Sequence, residues 1–205
     1  MDIMKIVNRV MNLILKPKET MEQLKHETVT TKDVIIYLAI IGLPTFLGIF
    51  LGYGFVGWGF HGGWIGYAFA LGITMYILSI IGIIAFGFIL NALANNFKSK
   101  ENKMQAMKLV SYAATPWLLL GIASIYPPIA IISLLGGLYG LYILYLGLPI
   151  LMETPKEQQI SYFVIGLIIY IVIMGIIYWL VGWIWWQLVW SSSWAGYPGY
   201  RYWGP

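Results

Sequence analysis

A chain of 205 residues that is 60% hydrophobic and only 10% charged cannot hide its apolar surface in a water-soluble fold, where charged residues typically make up about 25%. A bilayer accepts it, because lipid takes the place of a polar exterior. The chain has no cysteine, which excludes disulfides, thiolate metal sites, iron–sulfur clusters and cysteine nucleophiles, and its net charge of +4 lies beside the hydrophobic runs, where topology and anionic lipid account for it better than nucleic acid does.

Residues 1–33 carry charges throughout, with no uninterrupted apolar stretch and no small-residue cleavage site, so the first span is expected to act as the insertion signal. Within them Ile3, Ile6, Val7, Val10 and Ile14, with Met11 and Leu13 nearby, recur at helical spacing, while Asp2, Lys5, Asn8, Arg9 and Asn12 fall mostly on the other side. The pattern predicts a surface helix ending near Lys16-Pro17 and a second short helix over residues 18–26. The apolar stripe has two equally weighted destinations, the membrane interface and the ends of the spans.

The first apolar run covers residues 34–55, with Thr30 or Thr31 as its cap. A glycine- and aromatic-rich loop leads to the second run, 64–93, which the polar stretch NNFKSKENK ends. The third run, 109–126, stops at Pro127-Pro128, since two prolines in succession remove two amide donors. The fourth, 129–152, follows at once and forms an antiparallel hairpin with the third. The fifth, 160–190, is roughly ten residues longer than a hydrocarbon core requires, and its end, YWLVGWIWWQLVW, reads as an aromatic belt climbing into the headgroups. Residues 191–205, SSSWAGYPGYRYWGP, read as an irregular aromatic tail on or near the membrane surface. The expected fold is therefore all-α: a polytopic membrane bundle of five transmembrane helices with an amino-terminal amphipathic interfacial helix.

Lys5, Arg9, Lys16, Lys18, Lys25 and Lys32 precede the first span, Lys98, Lys100, Lys103 and Lys108 lie between the second and third, and Lys156 lies between the fourth and fifth. Only Arg201 is left for the opposite face. Because loops retained in the cytoplasm keep the lysine and arginine excess, the amino terminus is expected inside and the carboxyl terminus outside the cell membrane. Every acidic residue falls on the same cytoplasmic side.

Ionisable residues deep in a span usually mark ion or proton pathways, and none lies mid-span here. Lys108, at the start of the third run, is expected to snorkel to a lipid phosphate, with Lys5, Arg9 and Lys16 as further headgroup contacts. His26 and His61 fall on opposite predicted faces and form no shared metal or haem site. No serine, histidine and acid set assembles on one face, so neither a catalytic site nor a cofactor is expected. Thr45, Thr74, Ser79, Asn91, Ser111, Tyr112, Thr115, Ser124 and Ser133 read as hydrogen-bond partners between helices. Gly48 with Gly52 and Gly136 with Gly140 have the spacing that allows close backbone approach, within the chain or between copies, and Ala68 with Gly72 is a weaker version. Pro44, Pro116 and Pro149 place kinks inside or near the ends of spans that could frame a cavity.

Three stretches together resemble the Yip domain family, multi-spanning proteins named for interaction with Ypt and Rab GTPases and well represented in prokaryotes. They are ILKPKETMEQLKHE at 14–27, KMQAMKLVSYAATPWLLLGI at 103–122, where Tyr112 is followed four residues later by Pro116, and GLYGLYILYLGLPILMETPKEQ at 137–158. The resemblance implies a five-span bundle with a cytoplasmic amino terminus. In eukaryotes it also implies vesicle trafficking, binding of Rab-type GTPases and association among members. The resulting expectation is a non-enzymatic scaffold or adaptor that organises membrane or recruits partners through residues 1–33 and the loops at 95–103 and 153–159. The alternatives are passive transport or lipid scrambling through a cavity between kinked spans, and an accessory subunit docked through the tryptophan-rich fifth span. The candidate partners are membrane lipids, a second copy, other membrane proteins or a cytoplasmic protein, with nucleic acid excluded.

Overall fold

The computed structural model describes residues 3–56, 65–129 and 131–194; the side chains of Ile3, Pro127 and residues 188–194 are not part of that description. Eight α-helices occur among the described residues: α1 (Ile3–Leu15), α2 (Pro17–His26), α3 (Thr31–Leu51), α4 (Ile65–Leu93), α5 (Lys103–Ala113), α6 (Thr115–Leu120), α7 (Ile131–Leu151) and α8 (Lys156–Trp194). They provide five segments long and apolar enough to cross a membrane, Thr31–Val56, Ile65–Phe97, Lys103–Ile125, Ile131–Leu151 and Lys156–Gln187. The fold is an all-helical membrane bundle.

Local chemistry sets most helix ends. Thr30 and Asp33 form a reciprocal capping box at the start of α3, with Thr30 Oγ1 accepting from the Asp33 amide at 3.2 Å and Asp33 Oδ2 accepting from the Thr30 amide at 3.0 Å. The Asn102 side chain accepts from the amides of Met104 and Gln105 and starts α5 at Lys103, ahead of the apolar run predicted from 109. The third span is interrupted at Ala114, beside Pro116, whose ring nitrogen has no hydrogen to donate. Past α6 it tightens into a 3₁₀ turn over Gly121–Ile125. Pro44 lies within α3 and Pro149 near the end of α7. Residues 191–194, read from sequence as irregular tail, continue α8, because the run of serines holds no helix breaker before Gly196. Residues 195–205 and the loop with His61 lie outside the described residues.

The third span is the hub. Lipid is as apolar as leucine, so helices in a bilayer associate through close packing and hydrogen bonds, and both are concentrated here. A Cβ added to Gly48 would fall on the Gly121 carbonyl oxygen, and one on Gly52 would fall on that of Ser124. A Cβ on Gly140 would fall on the Ala113 carbonyl oxygen, and one on Gly136 would sit 2.6 Å from that of Pro116. Each glycine pair thus seats its own helix, α3 or α7, on the backbone of the third span within one chain. Thr45 Oγ1 donates to the Leu118 carbonyl and Ser133 Oγ to that of Leu120, both at 2.7 Å. Tyr76 ties α4 to α3 through the Ala39 carbonyl at 2.7 Å, and Tyr162 ties α8 to the Leu90 carbonyl of α4.

Candidate functional site

The amino-terminal helices are seated on the bundle. Ile6 and Leu13 of α1 and Met21 and Leu24 of α2 are buried in the main core, with Val10 packed against it. The Tyr139 hydroxyl of α7 donates to the Ile14 carbonyl at 2.7 Å. A second apolar stripe of α1, formed by Val7, Met11, Ile14 and Leu15, is exposed. Lys5, Asn8 and Asn12, also exposed, occupy a third side at helical spacing. The helix therefore has a packed side, an uncovered apolar side and a polar side.

The residues that hold this unit in place converge from four elements. Arg9 Nη1 donates to the Tyr112 hydroxyl at 2.7 Å, and Nη2 donates to Glu27 Oε1 in an ion pair. The guanidinium carbon lies 5.8 Å from the centre of the Tyr112 ring. Burial alone would lower the Arg9 pKa, but the Tyr112 hydroxyl and the Glu27 carboxylate outweigh it, raise the pKa and keep the group charged. The Tyr112 ring packs on that of Tyr37 with centres 4.6 Å apart, and the hydroxyls of Tyr37 and Thr115 share a hydrogen bond of 2.7 Å. Arg9, Glu27, Asp33, Tyr37 and Tyr112 line a cavity of about 210 Å³, together with Ser111, whose buried hydroxyl has no hydrogen-bond partner.

Lys108 completes the clamp. Its side chain is 1% exposed, and Nζ donates to the Leu24 carbonyl and, at 3.1 Å, to that of Glu27. Gln105 Nε2 donates to the Lys25 carbonyl at 2.9 Å. These are carbonyls at and just beyond the carboxyl end of α2, where a helix leaves acceptors unpaired and its dipole favours a cation. Lys25 and Lys100 both approach Glu153, at 3.0 and 3.6 Å, and tie α2 to the turn after α7. The two lysines, Lys25 by hydrogen bond foremost, hold the Glu153 carboxyl below its usual range.

The structure corrects two of the predicted headgroup contacts. Lys108 turns inward instead of snorkelling to phosphate, because the end of α2 presents the Leu24 and Glu27 carbonyls to its ammonium. Arg9 turns into the bundle toward Tyr112 and Glu27. Lys5 and Lys16 are exposed, and Lys16 pairs with Glu19 at 3.2 Å. Of the predicted packing residues, Tyr112, Pro116, Gly136 and Gly140 meet around the break in the third span, Gly48 and Gly52 meet its 3₁₀ turn, Pro44 lies inside α3 next to Thr45, and Pro149 lies near the end of α7. Sequence reading missed the Arg9 to Tyr112 bond, 103 positions long in the chain. No local pattern in the sequence signals it.

A second cavity, of about 330 Å³, lies deep among the spans between α4, the third span, α7 and α8. Phe86, Ala113, Trp117, Gly137, Leu144 and Tyr170 are among its predominantly apolar lining. The predicted kinks at Pro44, Pro116 and Pro149 do not line it.

In the polar cavity the Arg9 and Glu27 charges are paired with each other. No cluster of three or more histidine or carboxylate side chains suited to a metal occurs among the described residues.

A sequence profile of the Yip1 domain matches residues 11–180. The chain is similar to the inner membrane protein YohC of Escherichia coli strain K12, at 26% identity over 170 residues covering 76% of this chain and 85% of that protein. It is similar to the inner membrane protein YohC of Escherichia coli O6:H1 with the same identity and coverage. No solved structure matches.

Proposed function

The chain belongs to the Yip1 domain family, and from that premise we propose that it is a non-enzymatic membrane-organising scaffold whose working surface is the α1–α2 unit, lying in the cytoplasmic interface of the cell membrane. The observation that carries this reading is the three-sided α1. A helix held to the bundle by Ile6, Leu13 and Arg9 while presenting Val7, Met11, Ile14 and Leu15 outward suits the boundary between headgroups and acyl chains. The polar edges of α1 and α2 then face water and are available to a protein partner. The lysine and arginine distribution supports the cytoplasmic assignment of that face.

The natural absence of cysteine gives a direct test. Gln23→Cys on the exposed side of α2 and Tyr126→Cys in the hairpin between the third and fourth spans are labelled in intact cells with a membrane-impermeant maleimide. Labelling of the second and protection of the first is the expected result; the reverse overturns the orientation. For the scaffold role, a photoreactive residue at Glu22 captures discrete protein neighbours in membranes, and capture of none above background counts against it.

A second reading, an accessory subunit docked through α8, draws support from the exposed Trp179, Trp183 and Trp186 on that helix. Passive transport or scrambling draws less, because the deep cavity has a mostly apolar lining and a headgroup or polar solute crosses hydrocarbon only along polar partners.

A further inference from the structure

Gly136, Gly137 and Gly140 follow one another on α7, yet they meet different surroundings. Gly136 and Gly140 press on the backbone of the third span, so a side chain at either is excluded by packing. At Gly137 an added Cβ would find nothing nearer than Trp117 Cδ1 at 3.8 Å, an ordinary van der Waals contact. No close helix approach accounts for a glycine there, although glycine inside a helix costs about 1 kcal/mol relative to alanine. What it leaves open is the deep cavity, which Gly137 and Trp117 both line.

We propose that this cavity is a binding slot for one hydrocarbon chain of a bilayer lipid. Its walls on α7 and α8 run over residues 134–144 and 167–178, about 15 Å along each helix at 1.5 Å per residue. A volume of 330 Å³ extended over that length is elongated along the helices and accommodates an extended polymethylene chain. Water gains nothing there, since an apolar cavity stays dry. Leu134, Leu138, Ile171 and Tyr178 line the slot and are also exposed on the outer surface of the bundle. In a bilayer that surface meets acyl chains, so the slot opens sideways onto its ligand. Phe86, Trp117 and Tyr170 supply flat walls whose dispersion contacts a chain gains on entry.

The test uses the full-length protein in nanodiscs of bacterial lipid doped with a phospholipid carrying a diazirine midway along one acyl chain. After irradiation, peptide mapping should find label enriched at slot residues of α7 over Ile168, an exposed α8 position outside the slot. Gly137→Leu, which fills the slot from inside, should reduce the slot label by roughly fivefold while leaving Ile168 labelled as before and the melting temperature unchanged or raised. If that variant does not fold, Gly137→Ala, which adds only the tolerated Cβ, should reduce it by roughly twofold. Slot labelling no higher than at Ile168, equal labelling in the folded variant, or a cross-linked second copy over the slot would each overturn the proposal.

Discussion

The third span and the fifth helix are both membrane-crossing segments, yet they are built on opposite plans. In the third span 72% of the most apolar stretch is buried within the bundle, against 17% in the fifth. The third is the less apolar of the two, is broken at Ala114 and carries Lys108, Ser111, Tyr112 and Thr115 inward. The fifth is one uninterrupted helix with tryptophans on its surface. The contrast teaches that in a bilayer hydropathy reports contact with lipid, whereas the structural centre is marked by small and polar residues that let backbones approach and bond.

Equal glycine substitutions, one on α7 where it packs on the third span and one on the exposed surface of the fifth helix, sharpen this contrast. Gly140→Leu drives a side chain into the Ala113 carbonyl and should destabilise the bundle by about 3 kcal/mol or more. Gly175→Leu on α8, where an added Cβ meets nothing within 4 Å, should leave the detergent-solubilised melting temperature unchanged or slightly higher. Similar losses at both would break the distinction. Next in size, Lys108→Met removes the bonds to the Leu24 carbonyl, which keeps the Glu27 amide, and to the Glu27 carbonyl; it should cost about 2 kcal/mol, seen as earlier proteolysis between α2 and α3. Tyr112→Phe removes a hydrogen bond to a charged group, a loss of about 1.5 kcal/mol, and should loosen α1 more than α2.

The smallest effect concerns acid. Because the folded Glu153 carboxyl titrates below its unfolded value, its contribution is present above the ordinary carboxylate range and lost as pH falls through the depressed folded value. Exchange at the amides of α2 should therefore rise on acidification below about pH 4, and Glu153→Gln should remove that dependence.

The five spans were legible because each is a long apolar run, and the cap of α3 was legible to within one residue, Thr30 or Thr31, because capping is local; the structure places it at Thr30. The glycine spacings showed that backbones approach but not which ones, since the partners are carbonyl oxygens at 113, 116, 121 and 124 that carry no side-chain signature. Lys108 misled for a related reason. A lysine at a span end ordinarily finds phosphate, and only the fold brings it the end of α2, more than 80 positions earlier in the chain. The deep slot was invisible because a cavity is a property of four elements at once. Of the prolines that suggested one, none lines it, although Pro116 lies between the lining residues Ala114 and Trp117.

The third span holds α1 and α2 against the bundle through the clamp of Arg9, Tyr112, Glu27 and Lys108. Hydrogen–deuterium exchange of residues 3–26 in lipid nanodiscs, compared among wild type, Lys108→Met and Tyr112→Phe, measures it directly. The expected result is strong protection in the wild type, lost over α2 in the first variant and over α1 in the second, with α8 unchanged in both. Exchange over residues 3–26 that is fast in the wild type, or unaltered by either substitution, would contradict it.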